Sequence, residues 1–308
     1  MSEVVISEFM DEAAIAGHLA AHEVLYDPAL VDQPERLRGA LADCRALIVR
    51  NRTQVRGALL AAAPHLRIVG RLGVGLDNID LAACKARGIT VQPATGANDL
   101  AVAEYVICAA MVLLRRAWFA SHAVAAGQWP RTELIGRELA GKRLGLVGFG
   151  AIARLTAAKA AALGMRVAAH DPFVARDDAA WQQVEPLPLQ RLLSSADVVS
   201  LHVPLTAQTR HLIDAAALAC LAPGAVLINA ARGGVLDESA LVAALAAGRL
   251  AGAALDVFEN EPLSAQAGEP FKALPNLILT PHIAGVTEES NARVSELIAA
   301  AVAAALQT

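Results

Sequence analysis

The sequence predicts an α/β fold with two parallel sheets, one of them doubly wound. Short runs rich in β-branched residues alternate with helical runs from the first residues onward. This alternation is typical of parallel strands joined by helical crossovers. A glycine-containing turn lies between a strand and a helix near the middle of the chain. The length of 308 residues indicates two domains, because single cores stop growing at about 250 to 300 residues.

The first 126 residues contain five candidate strands and one long helix. The strands are predicted at residues 4–7, 23–26, 46–49, 67–70 and 90–92. The helix is predicted from residue 99 to about residue 126, and apolar residues dominate it on nearly every side. Such a helix must be buried, either between domains or against another subunit.

Six further strands follow, with helical runs between them. They are predicted at residues 144–148, 166–170, 198–203, 225–229, 252–257 and 277–280. An alanine-rich amphipathic helix at residues 288–306 is expected to pack back on the N-terminal part. We therefore predict a discontinuous domain at residues 1–98 and 286–308, and a nucleotide-binding domain at residues 99–285.

The turn after the strand at 144–148 has the form G-x-G-x-x-A. Gly148 permits the tight turn, and Gly150 lets the backbone approach a pyrophosphate on the helix N-terminus. Small residues also occur where a helix simply packs close to a strand. Here, however, a strand precedes the turn, a helix at 151–163 follows it, and Asp171 comes about twenty residues later. An acid at that distance holds the ribose of NAD and repels the extra phosphate of NADP.

Composition narrows the function classes. The net charge is -4, the basic residues are dispersed, and aromatic residues make up 4% of the chain. A nucleic-acid surface is therefore not expected. A membrane span is not expected either, because charges interrupt every long apolar stretch. The N-terminus has an acidic residue where a secretory signal needs basic ones. We therefore predict a cytoplasmic protein. Four scattered cysteines indicate buried small side chains rather than a metal site.

Chemistry-bearing residues follow three of the predicted strands. Arg232 follows the strand at 225–229, and His282 follows the strand at 277–280. Three carboxylates mark the end of the strand at 252–257: Asp256 within its last residues, and Glu259 and Glu261 just after it. An arginine can bind a carboxylate and polarise a carbonyl, and a histidine beside a carboxylate can donate a proton to a developing alkoxide. Taken singly, the arginine could cap a turn and the histidine could be structural. Their occurrence on neighbouring strand ends favours an active site.

With these residues the chain resembles the D-isomer-specific 2-hydroxyacid dehydrogenase family, which includes phosphoglycerate dehydrogenases. The motifs that carry the resemblance are residues 71–80, the turn at Gly148, and residues 202–206, 229–234, 256–262 and 281–285. The family implies a Rossmann-type doubly wound sheet plus a smaller, flavodoxin-like α/β substrate domain. It also implies NAD as cofactor and a homodimer. The segments 94–98 and 284–291 are similar to sulfolactate dehydrogenase-type members.

The resemblance also implies roles for individual residues. Arg232 would bind the substrate carboxylate and keto oxygen, His282 would be the acid/base, and Glu261 would support the histidine. The backbone of Val74 and Gly75 would contact the carboxylate. The implied cofactor contacts are Ala151 and Ile152 on the pyrophosphate, Asp171 on the ribose, Val203, Pro204 and Thr209 near the adenosine, and Ala230, Asp256, Ala284 and Gly285 by the nicotinamide.

Arg52 follows the third strand, on a loop that in this family faces the substrate. A second cation there indicates a second anion on the substrate, such as a phosphate, a sulfonate or a further carboxylate. The alternative is an ordinary solvated arginine. A different function also fits the motifs, because the family includes corepressor-like scaffolds that sense NADH with little turnover. A metabolic enzyme acting on a small 2-hydroxy or 2-oxo acid is the favoured hypothesis.

Overall fold

The computed structural model describes residues 2–307, and at residues 118 and 119 it describes the backbone only. Its strands, in chain order, are β1 (Val4–Ile6), β2 (Val24–Tyr26), β3 (Ala46–Val49), β4 (Ile68–Arg71), β5 (Thr90–Pro93), β6 (Arg143–Val147), β7 (Arg166–His170), β8 (Glu185–Pro186), β9 (Val198–Leu201), β10 (Val226–Asn229), β11 (Gly252–Leu255) and β12 (Leu277–Leu279). Its helices are α1 (Glu12–His18), α2 (Pro34–Ala40), α3 (Gly57–Ala61), α4 (Leu81–Ala86), α5 (Asp99–Arg115), α6 (Ser121–Ala125), α7 (Ala151–Ala162), α8 (Leu189–Ser195), α9 (Ala215–Cys220), α10 (Glu238–Ala246), α11 (Ala265–Gly268) and α12 (Glu288–Leu306). Both sheets are parallel, which confirms the predicted fold class.

The chain forms two compact units. The first comprises Met1–Asn98 and Gly285–Thr308, and the second comprises Asp99–Ala284. Asp99, the first residue of the second unit, also begins α5. Gly285, the first residue of the returning segment, comes three residues before α12 begins at Glu288.

The first unit contains a five-stranded sheet in the order β2-β1-β3-β4-β5. This order is that of flavodoxin-like folds. Helices α1 and α12 cover one face of the sheet, and α2 and α3 cover the other. A Cβ at Gly70 would lie 2.6 Å from Cγ2 of Ile298, so glycine lets α12 approach β4 closely. The helix begins with a capping box between Thr287 and Ser290, which satisfies two backbone donors.

The second unit contains a seven-stranded sheet in the order β12-β11-β10-β9-β6-β7-β8. Helices α5 and α7 pack on one face, and α8, α9 and α10 pack on the other. Because both faces are covered, the central strands β9, β10 and β11 are nearly continuous apolar runs rather than alternating ones. The sequence predicts six strands here and misses β8. That strand has two residues, one of them Pro186 at the sheet edge, where proline is tolerated.

The predicted continuous helix at 99–126 is wrong. Helix α5 ends at Arg115, and Arg116 adopts a left-handed conformation with φ of 55°. The amide of Arg137 donates to the carbonyl of Leu114 at 2.8 Å. A Cβ at Gly136 would lie 2.7 Å from the same oxygen, so a later backbone segment caps the helix. This tertiary contact outweighs the helix propensity of the alanines that follow.

The prediction that the four cysteines are buried is correct for two of them and wrong for the other two. Cys44 and Cys84 are buried, whereas Cys108 and Cys220 are exposed. Cys108 lies within α5, and Cys220 is the last residue of α9. Among residues 2–307, no helix is long and apolar enough to cross a membrane.

Candidate functional site

The glycine turn lies where β6 meets α7. Gly148 has a φ of 94°, and a Cβ there would lie 2.6 Å from the carbonyl oxygen of His202. Both observations require glycine. Gly150 precedes the 12-residue helix α7, and a Cβ at Gly150 would meet open space. Within the described residues, no side chain caps this helix. Its first amides, at Ala151 and Ile152, therefore suit an anion such as a pyrophosphate.

Asp171 follows β7 directly and is tied to this turn. Its Oδ2 accepts a hydrogen bond from the amide of Phe149 at 2.8 Å, and its Oδ1 accepts one from the amide of Phe173 at 2.9 Å. The carboxylate is therefore fixed beside the glycine turn, at the carboxyl end of the sheet. This arrangement fits a dinucleotide whose ribose lies against an acid.

The segment after β9 lies at the same carboxyl end of the sheet as the glycine turn. The hydroxyl of Thr209 donates to the carbonyl of Pro204 at 2.6 Å, and the amide of Thr206 donates to Thr209 Oγ1 at 2.7 Å. Thr209 thus shapes the loop that contains Val203 and Pro204.

His202 was not considered from the sequence as a residue that transfers a proton. Desolvation lowers the pKa of His202 to about 4, so this imidazole is neutral near pH 7 and is unsuited to act as the acid.

His282 and Glu261 are joined by a hydrogen bond. Nδ1 of His282 lies 2.7 Å from Oε2 of Glu261, and Oε1 of Glu261 accepts from the amide of Phe258 at 3.0 Å. Burial opposes ionisation of Glu261. The hydrogen bond and charge of His282, the Phe258 amide and the charge of Arg232 outweigh this effect, so the pKa of Glu261 is lowered. The pairing through Nδ1 leaves Nε2 of His282 as the nitrogen that can exchange a proton with a ligand.

Asp256 holds the turn that carries His282. It is 1% exposed and accepts hydrogen bonds from the amides of Ile283 and Ala284 at 2.7 and 2.8 Å, and from Thr280 Oγ1 at 2.6 Å. Burial raises the pKa of Asp256. His282 has a φ of 57°, a conformation that costs a non-glycine residue energy. The hydrogen bonds that Asp256 accepts from the amides of Ile283 and Ala284 keep His282 in this conformation.

Arg232 lies in the loop after β10, next to the segment that contains Glu261. A Cβ at Gly233 would lie 1.7 Å from the carbonyl oxygen of Phe258, so the two backbones touch. The side chain of Asn229 organises this loop, donating to the carbonyl of Arg232 at 3.0 Å and accepting from the amide of Ala231 at 3.1 Å. Ala230 lies in the same loop. The fold thus brings Arg232, Glu261 and His282 together at one sheet edge.

Three of the expected substrate residues belong to the first unit. Arg71 fills the loop around Val74 and Gly75, donating to the carbonyl of Gly75 at 2.9 Å and to that of Leu72 at 2.7 Å. Arg52 is 46% exposed and forms an ion pair with Asp32. The hydrogen bond to Asp32 raises the pKa of Arg52. An incoming anion would therefore share this guanidinium with Asp32. Gly285 belongs to the same unit, and its carbonyl accepts from Ser290 Oγ at 2.9 Å.

Comparison with known proteins gives a consistent result. The family model "D-isomer specific 2-hydroxyacid dehydrogenase, NAD binding domain" matches residues 107–284. The (S)-sulfolactate dehydrogenase of Chromohalobacter salexigens is 57% identical over 296 residues, which are 96% of this chain and 95% of the relative. The D-3-phosphoglycerate dehydrogenase of Archaeoglobus fulgidus is 41% identical over 254 residues, covering 82% of this chain. This chain spans about half the length of that relative, 48%.

A solved structure extends the similarity to the fold. The D-lactate dehydrogenase of Aquifex aeolicus, complexed with NAD and lactic acid, superposes with a TM-score of 0.86. It is 28% identical, and the match covers 99% of this chain and 95% of that one. The NAD bound in that structure and the matched NAD-binding domain agree with the features of the glycine turn and Asp171.

Proposed function

Because the chain belongs to the D-isomer-specific 2-hydroxyacid dehydrogenase family, we propose that it interconverts a small 2-hydroxy acid and the 2-oxo acid, with a second anionic group on the substrate. It is an NAD-dependent oxidoreductase. The substrate type that we propose is 3-sulfolactate or 3-phosphoglycerate. The 57% identity to a sulfolactate dehydrogenase supports the former. The observation that carries the proposed chemistry is the 2.7 Å contact between His282 and Glu261, beside Arg232.

When bound, the cofactor would supply the hydride chemistry: NADH would give a hydride to C2 of the 2-oxo acid, and NAD+ would accept one from C2 of the 2-hydroxy acid. In the reducing direction, His282 gives the proton on Nε2 to the carbonyl oxygen, so that an alcohol forms as the hydride arrives. Glu261 stabilises the imidazolium from which the proton leaves. Arg232 binds the carboxylate and stabilises the negative charge that develops on the oxygen. The amides of Val74 and Gly75 bind the same carboxylate, and Asp256 keeps His282 in place.

The cofactor side of the proposal assigns the pyrophosphate to the amides of Ala151 and Ile152, and the ribose to Asp171. Ala230, Asp256, Ala284 and Gly285 would lie by the nicotinamide, and Val203, Pro204 and Thr209 near the adenosine. We expect Asp171→Ser to lower the ratio of kcat/KM with NAD to that with NADP by about tenfold or more, because the carboxylate repels the extra phosphate. Kinetics with both cofactors measure this ratio.

Asp177→Ser is the matched control for Asp171→Ser, since Asp177 is an exposed aspartate in the same segment. Its cofactor ratio should equal that of the wild type. The ratio is the informative quantity, because Asp171 also holds the Phe149 amide and its loss weakens both cofactors. A wild-type enzyme that prefers NADP would contradict the role given to Asp171.

A substrate screen tests the second anion. We expect kcat/KM to be higher for acids that carry a sulfonate or phosphate on C3 than for lactate. In Arg52→Ala the KM for the dianionic acids should rise about tenfold, the effect of one lost charged hydrogen bond, with little change for lactate. The control is Arg36→Ala, because Arg36 is also exposed and also pairs with an aspartate, Asp27. Equal changes for lactate and the dianionic acids would refute this role of Arg52.

A homodimer is also a proposal, with helix α5 as part of the interface. Its side away from the sheet exposes Leu100, Glu104, Cys108 and Met111, at helical spacing. Leu100 and Met111 are 40% and 38% exposed. The apolar members of this row, Leu100, Cys108 and Met111, support a subunit contact. A cytoplasmic location likewise remains a prediction.

A further inference from the structure

The segment from Arg50 to Thr53 follows β3 and belongs to neither a helix nor a strand. Its backbone groups must therefore find partners in other parts of the chain. The carboxylate of Glu8 supplies the acceptors. Oε1 accepts from the amides of Arg50 and Thr53 at 2.9 and 3.0 Å, and Oε2 accepts from the amide of Arg52 at 3.2 Å. Glu8 is 5% exposed.

Asn78 binds the same segment through its carbonyls. Its Nδ2 donates to the carbonyl of Arg50 at 2.9 Å and to that of Thr53 at 2.7 Å, and Asn78 is 5% exposed. The backbone of Asn78 is itself fixed, because its carbonyl accepts from the amide of Val55 at 2.8 Å. Two buried side chains from distant parts of the sequence thus hold both the amides and the carbonyls of one short segment.

We call Glu8, Asn78 and their hydrogen bonds to residues 50–53 the clamp. The clamp fixes the backbone from which the side chains of Arg50 and Arg52 extend. Arg50 is held further along its length, with Nε donating to the carbonyl of Phe9 at 2.8 Å and Nη2 donating to Asn291 Oδ1 at 2.7 Å. Arg52 pairs with Asp32. Cations that are already ordered bind an anion without the entropic cost of being immobilised.

We propose that Glu8 and Asn78 are positioning residues that hold the Arg50–Thr53 segment and thereby set the selectivity for the distal anionic group of the substrate. This inference rests on the proposed function. Neither residue contacts substrate in this proposal; both act through the two arginines.

The direction in which anion binding changes when the charge of Glu8 is removed distinguishes a positioning role from a purely electrostatic one. The negative charge of Glu8 raises the pKa of both Arg50 and Arg52, although burial dominates at Arg50 and lowers its pKa overall. If only this charge mattered, its removal would strengthen the binding of an anion by the arginines. If Glu8 positions the segment, its removal weakens that binding.

The Glu8→Gln substitution makes this distinction with almost no change in shape. A glutamine has one acceptor oxygen and one NH₂ group, so in either orientation its NH₂ faces at least one backbone N–H of the segment. A donor then faces a donor, and a buried hydrogen bond is lost. We expect the KM for 3-sulfolactate and 3-phosphoglycerate to rise about tenfold or more. The values of kcat and the KM for lactate should change less than about threefold, which is under 1 kcal/mol.

Glu12→Gln is the matched control, since Glu12 is exposed in the first turn of α1; its KM values should equal those of the wild type. Asn78→Ser is the second variant and should show the same selective rise in KM, because the shorter side chain reaches neither carbonyl. If Glu8→Gln does not fold, Asn78→Ser carries the test. If neither folds, the clamp is purely structural and the proposal is wrong.

The remaining outcomes are distinct. A fall in KM for the dianionic acids, unchanged KM values, or an equal rise for lactate would overturn the positioning role while leaving the proposed function intact. A wild-type enzyme that uses lactate as well as the dianionic acids would overturn the proposed substrate, and the clamp proposal with it.

Discussion

Replacing Arg232 by alanine is expected to lower kcat/KM for the 2-oxo acid by about 10²- to 10³-fold, which corresponds to roughly 3 kcal/mol. The proposed mechanism asks this guanidinium to stabilise the charge that develops on the reacting oxygen, and to bind the substrate carboxylate. Its backbone is held by Asn229 and by the close contact between Gly233 and Phe258, so the side chain works from a rigid loop. Steady-state kinetics in the direction of NADH oxidation measure the effect.

Binding of NADH, followed by its fluorescence, should stay close to the wild-type value in Arg232→Ala, because no cofactor contact is assigned to this side chain. Arg191→Ala is the control; Arg191 is an exposed arginine on α8 in the same unit, and its loss should leave kcat/KM within about twofold. An Arg232→Ala enzyme with nearly normal kcat/KM would eliminate the proposed role.

The second large effect is expected for His282→Asn. Asparagine adopts left-handed backbone conformations more readily than most residues, so it suits the φ of 57° at this position. It cannot transfer a proton as an imidazole does. We expect kcat to fall by about 10²- to 10⁴-fold, the usual contribution of general acid–base catalysis. Rapid mixing with NADH and the 2-oxo acid measures the rate of the chemical step directly.

The chain offers an unusually close control for this substitution. His211 also has a left-handed backbone, with a φ of 49°, and its Nε2 lies 3.2 Å from a carboxylate oxygen of Glu259. The change His211→Asn is therefore the same in chemistry and in backbone conformation, yet it should leave kcat nearly unchanged. If His282→Asn kept more than about a tenth of the wild-type rate, the acid/base would have to be another group.

Much of the fold could be predicted because its signals are local. The strand at Ala46–Val49 and the helix at Glu288–Leu306 were predicted to the residue, since β-branched runs and helical spacing act over a few positions. The end of α5 could not be predicted. It depends on the amide of Arg137, which is more than twenty residues from Leu114 and gives no signal in the helix itself.

The same difference between local signals and long-range contacts applies to the candidate site. Arg232, a carboxylate and His282 could be placed together because the carboxyl ends of parallel strands meet at one edge of a sheet. The choice of Glu261 among the three carboxylates came from the family resemblance. The partner of Arg52, Asp32, could not be foreseen, nor could the three hydrogen bonds that Glu8 accepts. These contacts join residues about twenty and more than forty positions apart, and no periodicity records them.

The sequence by itself determined the two parallel sheets, the glycine turn for the dinucleotide and the chemical types at the strand ends. These features follow from backbone geometry and side-chain chemistry at each position. Only the tertiary structure decided that His282 is held in a left-handed conformation by the carboxylate of Asp256, that Glu261 reaches its Nδ1, and that Arg52 has Asp32 as a partner. The reason is physical: a carboxylate or guanidinium pairs with the donors and acceptors that folding brings within about 3 Å, and the identity of these partners depends on how distant segments pack.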